Sequence, residues 1–106
     1  MNQSRLEQLL QFYKEDPNDP FTLYALANEY KTVDLNIALA YYEKLINFHP
    51  EYIPTYFHLA QLYLDLGEEE KAKVTYENGI EKASKSNENL MLRELKNAYN
   101  EFMMDR

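Results

Sequence analysis

The sequence predicts an all-α chain of six helices, and three observations carry that reading. Apolar residues recur at helical spacing from one end to the other. Prolines, a glycine and short polar runs interrupt that spacing at intervals suited to helix hairpins. A pattern of small and aromatic residues also returns after 33 to 34 positions. No segment shows the apolar–polar alternation of a half-buried strand.

Each element follows from local chemistry. Leu6, Leu9, Leu10 and Tyr13 form the stripe of a first helix over 4–15, and Ser4-x-x-Glu7 reads as its capping box. Asp16-Pro17-Asn18-Asp19-Pro20 halts it, and Asp19 caps the next helix with Pro20 at its first position. Leu23, Leu26, Ala27 and Tyr30 stripe that second helix. The third runs from about Asp34, with Ala38, Tyr42 and Leu45 inward, to His49-Pro50. Pro54 opens a fourth, carrying Tyr56, Leu59, Ala60 and Tyr63. Gly67 ends it, as the residue best suited to a left-handed turn. Glu68, Glu69 and Glu70 then sit where the dipole of a fifth helix favours negative charge. After a loop at Ser84-Lys85-Ser86-Asn87, Leu92, Leu95, Tyr99 and Phe102 stripe a sixth helix.

The internal repeat is explicit. Leu26-Ala27-x-x-Tyr30 returns 33 residues later as Leu59-Ala60-x-x-Tyr63. Ala38-x-x-x-Tyr42 returns 34 residues later as Ala72-x-x-x-Tyr76. The offset changes only in the turn, where Gly67 has no counterpart beside Thr32-Val33-Asp34. Small residues let helices approach closely, and the tyrosines fill the spaces between them.

A period of about 34 with this signature resembles that of the tetratricopeptide repeat. The resemblance covers residues 20 to 84 in two copies, and implies a right-handed α-solenoid of antiparallel helix hairpins. On that reading 1–106 is a single domain: a half-repeat helix at 4–15, repeats at 20–50 and 53–84, and a capping helix at 87–104. The sixth helix departs from the pattern, since Arg93-Glu94 stand where Leu-Ala is expected. A terminal helix with a polar outer face keeps such a stack soluble. Gly79 takes a usual alanine position, and is expected to mark a backbone-to-backbone approach of that cap.

Composition narrows the function. The net charge is −7, with eleven basic residues scattered among eighteen acids, so neither nucleic acid nor anionic lipid is an expected partner. No run approaches the roughly 20 apolar residues of a spanning helix, and the N-terminus lacks the pattern of a secretory signal. The absence of cysteine fits a reducing cytoplasm. Catalysis needs a nucleophile with a base, a carboxylate pair in a pocket or a metal. His49 and His58 are the only imidazoles and share no ligand spacing, so neither an enzyme nor a metal or other cofactor is expected. His49, at a helix end, is expected to reach that helix's last carbonyls.

What remains is surface. The resemblance implies a concave groove lined by the first helix of each repeat, receiving an extended peptide or a partner's helix. By register it presents Phe21, Tyr24, Asn28 and Lys31 from one copy, then Phe57, His58, Gln61, Leu64 and Asp65 from the other. Asn28 matches one position of the family's carboxylate clamp, but Tyr24, Pro54 and His58 stand where basic or amide groups are required. The expected ligand is therefore a protein or peptide with apolar or basic side chains. Tyr24 and Phe57 anchor it, Asn28 and Gln61 bond its backbone, and net acidity steers it. A competing reading is homo-oligomerisation through Leu6-Leu10-Tyr13 or Met91-Leu95-Phe102-Met103, with a homodimer as its simplest form. A third is an accessory that acts by holding an enzyme.

Overall fold

A computed structural model describes residues 3–105 as six α-helices and connecting turns. They fall into two compact units, one ending at Tyr52 and one beginning at Ile53. The first holds α1 (Gln3–Glu15), α2 (Pro20–Tyr30) and α3 (Leu35–Phe48). The second holds α4 (Pro54–Asp65), α5 (Glu69–Lys85) and α6 (Asn89–Met104).

In the first unit α2 packs against both α1 and α3. Its start is capped as expected: Asp19 is extended (φ −66°, ψ 119°), and its carboxylate accepts from Thr22 N at 3.0 Å and Thr22 Oγ1 at 2.7 Å. Ser4 is not a cap. The helix already runs from Gln3, so Ser4 holds helical backbone, whereas a capping residue lies outside the helix. Leu23, Leu26, Ala27, Ala38, Tyr42 and Leu45 are fully buried. On the α1 side Leu6 and Leu9 pack with Ala25 and Leu26, edged by Leu10, Tyr13, Tyr30 and Tyr41. Tyr41 meets Tyr13 edge-on at 5.7 Å and stacks on Tyr30 at 5.9 Å. The Lys44 ammonium caps this group, 3.1 Å from the Tyr13 hydroxyl.

The second unit repeats the hairpin as α4–α5, with α6 against both. Its buried set is Tyr56, Leu59, Ala60, Leu62, Tyr63, Ala72, Tyr76 and Ala83, closed by Leu95 of α6. Gly79 of α5 does mark a close approach, but a side chain makes it. A Cβ there would lie 2.5 Å from Tyr56 Cβ and 3.3 Å from Leu95 Cδ1, so the neighbouring hairpin helix, more than the cap's backbone, occupies the space.

The two hairpin turns differ as the one-residue offset requires. After α4, Gly67 adopts φ +76°, and Glu68 N donates to Tyr63 O (2.8 Å) while Gly67 N donates to Leu64 O (3.0 Å). These are the paired bonds of a Schellman motif. After α2 no residue turns left-handed. Asp34 N instead donates to Tyr30 O at 2.8 Å, and Asp34 Oδ1 caps Asn36 N and Ile37 N. Asn87, at φ +58°, ends α5 in the manner of Gly67, with Glu88 N donating to Ala83 O at 3.1 Å.

The faces expected to support self-association are largely turned inward. Leu6 and Leu95 are buried, and Leu10, Tyr13, Met91 and Phe102 are half-buried; Met103 is exposed.

Candidate interaction surface

On α2 the core stripe and the expected contact face separate cleanly. Leu23, Leu26 and Ala27 point inward, while Phe21, Tyr24, Asn28 and Lys31, spaced three, four and three apart, share another side. Phe21 is 63% exposed. Tyr24 is half-buried because Tyr52, in the segment after α3, leans on it with ring centroids 5.5 Å apart. Lys31 is half-buried at the C-cap of α2. Asn28 is also half-buried, and its Oδ1 accepts from the Tyr42 hydroxyl of α3. Burial raises the Tyr42 phenol pKa well above its ordinary value, with Tyr24 adding to the effect, so the hydroxyl stays a donor.

On α4 the corresponding face carries Phe57, His58, Gln61 and Leu64, all half-buried, and the exposed Asp65. Phe57 and His58 meet edge-on at 5.5 Å. Gln61 Nε2 donates to the Tyr76 hydroxyl of α5 at 2.7 Å. The Tyr76 phenol is likewise raised by burial; the Gln61 bond opposes that shift and Glu101 adds to it. Asp65 ends α4, where the helix dipole disfavours a carboxylate, so helix stability does not call for an acid at this position.

The two faces share a device that sequence reasoning missed. Asn28 and Gln61 are 33 apart, as Leu26 and Leu59 are; Tyr42 and Tyr76 are 34 apart, as Ala38 and Ala72 are. Each hairpin therefore bridges its two helices by one amide–tyrosine hydrogen bond at the same place in the repeat. The amides are not wholly given over to a ligand: Asn28 spends its carbonyl oxygen, and Gln61 spends a hydrogen on its nitrogen. The signal was present, since both polar positions recur in register with the core. Tyr52 was missed as well, because it lies outside any helix and outside the duplicated pattern.

His49 differs from expectation. Its ring reaches the backbone carbonyl of Asn18 in the α1–α2 turn, not the last carbonyls of α3. The backbone N–H of His49 already bonds Leu45 O, and the residue leaves the helix (φ −137°, ψ 61°), which swings the imidazole across to the neighbouring turn. Among the described residues no three His, Cys, Asp or Glu side chains gather where they could hold a metal ion. None of the described helices is long and apolar enough to cross a membrane.

Comparison with known proteins agrees with this architecture. A family model for the tetratricopeptide repeat matches residues 41–74, from within α3, across α4 and into α5. The solution NMR structure of a tetratricopeptide repeat domain protein from Salinibacter ruber is 42% identical. It covers 82% of this chain and 89% of its own, with a TM-score of 0.77. A crystal structure of such a protein from the same organism is 41% identical over 80% of this chain and 96% of its own, with a TM-score of 0.76. The crystal structure of MamA, at 22% identity and a TM-score of 0.68, covers 94% of this chain and 65% of its own, a likeness of fold alone. No curated protein matches. The chain belongs to the tetratricopeptide repeat family, and its fold is the all-α fold of that family.

Proposed function

We propose that this chain is a non-catalytic interaction module that binds a peptide or a partner's helix on the outward faces of α2 and α4. Family membership supports the general part, since tetratricopeptide repeat domains generally mediate protein–protein interaction. One observation carries the finer part. In each hairpin the first helix holds an amide, Asn28 or Gln61, fixed from behind by a buried tyrosine and flanked by aromatic rings. An amide already bonded on one side loses less rotamer freedom when a ligand bonds the other, and such preorganisation favours binding.

The ligand on this reading has apolar or basic side chains. Tyr24 and Phe57 are the anchors, Phe21 extends the apolar contact, and the remaining amide atoms bond the ligand backbone. Asp65 and the net charge of −7 steer a basic segment. The family's carboxylate clamp is not part of the proposal, because the positions of Tyr24, Pro54 and His58 supply no cation suited to it.

The test is capture of cellular partners on immobilised protein, comparing wild type with a Tyr24→Ala/Phe57→Ala double variant of unchanged helical content. Loss of the partners by the variant supports the reading. Retention of the same partners by a folded variant rejects it.

A further inference from the structure

At one end of the first unit lies an open cleft of about 370 Å³ lined by Pro20, Phe48, His49, Pro50, Glu51 and Tyr52. Its walls are two prolines and two aromatic rings, and Phe48 is 61% exposed at its edge. The repeat signature includes the closing proline, Pro50, but neither Phe48 nor Tyr52. Carried forward by the 34-residue offset, Phe48, Pro50 and Tyr52 correspond to Lys82, Ser84 and Ser86, so this composition does not recur in the second unit.

The one charge that Asp, Glu, Lys and Arg side chains bring to the cleft lining is negative. No Lys or Arg lines it, and Glu51 does. His49 bonds the carbonyl of Asn18, which ties the turn carrying Asp16 and Asp19 to the cleft's rim. Asp19 is near enough to help raise the Tyr52 phenol pKa, after burial and Tyr24. Up to Tyr52 the chain holds eight acids against four bases. Aromatic faces beside carboxylates attract a guanidinium or ammonium twice over, through the ring quadrupole and through the opposite charge. Proline and phenylalanine walls suit the aliphatic stem of such a side chain, or a neighbouring proline.

We infer that this cleft is a docking subsite for an arginine or lysine side chain of a proline-containing basic peptide. The inference rests on the proposed interaction role and gives it a ligand chemistry. Tyr52 supplies the ring face, Glu51 and the acidic turn supply the countercharge, and Tyr24, leaning on Tyr52, joins the cleft to the outward face of α2.

The experiment uses fluorescence anisotropy with the full chain and a labelled hexapeptide of alternating arginine and proline. Its control replaces each arginine by citrulline, a neutral isostere. Wild type should bind the arginine peptide at least tenfold more tightly than the citrulline peptide, with the difference shrinking as salt rises. Tyr52→Ala should weaken the arginine peptide about fivefold. Glu51→Gln, an exposed change that spares the core, should weaken it severalfold at unchanged helical content. Equal binding of the two peptides, no binding of either, or full affinity in both variants overturns the inference. None of these results touches the partner loss expected of the Tyr24→Ala/Phe57→Ala variant, so the two readings fail separately.

Discussion

Thr22 and Thr55 occupy the same place in the repeat, 33 residues apart, in the first turns of α2 and α4. Both follow a proline by one or two positions, both are buried, and they differ in one hydrogen bond. Thr22 Oγ1 lies 2.7 Å from the Asp19 carboxylate that caps its helix. The cap of α4 is Ile53, which has no side-chain acceptor, and Thr55 Oγ1 is buried without a partner in a residue of 0% exposure. An orphaned buried hydroxyl costs about 1–3 kcal/mol. Thr55→Val keeps the β-branched shape and similar helix propensity while removing that oxygen. It should therefore stabilise the chain by about 1 kcal/mol, equivalent to roughly 4–8 °C in melting temperature for a domain of about this size. Thr22→Val deletes a bond to a charged acceptor that is only partly buried, and should destabilise by about 1 kcal/mol. Urea denaturation followed by circular dichroism, with calorimetry for the midpoint, measures both. Opposite signs for two identical substitutions at equivalent positions are the expected result. If Thr55→Val instead lowers stability by 1 kcal/mol or more, the hydroxyl has a partner and the reasoning about the missing cap is wrong.

Other substitutions test other contacts. Gly79→Ala gains about 1 kcal/mol of helix propensity but places a Cβ 2.5 Å from Tyr56 Cβ. Net destabilisation of about 1–3 kcal/mol is expected by denaturant titration. Gly67→Ala meets no atom within 4 Å, so only its left-handed backbone resists, and a loss of about 1–2 kcal/mol is expected in the same measurement. The phenols of Tyr41, Tyr42, Tyr52 and Tyr76 are all raised above 10.0 in the folded chain. The unfolded chain therefore holds fewer protons than the folded one above that pH, and stability falls as pH rises through 10 and beyond. Melting temperatures between pH 8 and 11 read this slope, which Tyr42→Phe should flatten in part.

The helices were legible because their ends are written in local chemistry. Pro20, Pro54, Asp19, Asp34 and Gly67 each act within a few residues of where they stand, and each sits where that chemistry places it. Ser4 shows the limit: a capping box is only as good as the point at which the helix starts, and α1 starts earlier. The duplicated core was legible because repetition doubles a weak signal. Contacts between distant side chains were less so. The register gave Gly79 a neighbour without revealing that Tyr56 is the neighbour. It placed Asn28 and Gln61 on an outward face without showing the tyrosines that hold them, although the matched spacing pointed there. Tyr52 and His49 lie in the irregular segment after α3, where no period constrains direction, and their contacts with Tyr24 and Asn18 had no linear trace.

The most direct test of the interaction role is to map where a captured partner, or its minimal binding peptide, touches the chain. Amide and side-chain NMR shifts of isotope-labelled protein, recorded on titration, report this residue by residue. The largest changes should fall on Tyr24, Asn28, Phe57 and Gln61, including the two side-chain amides. Changes confined to the outer surfaces of α3, α5 or α6, with those four residues unmoved, would contradict it.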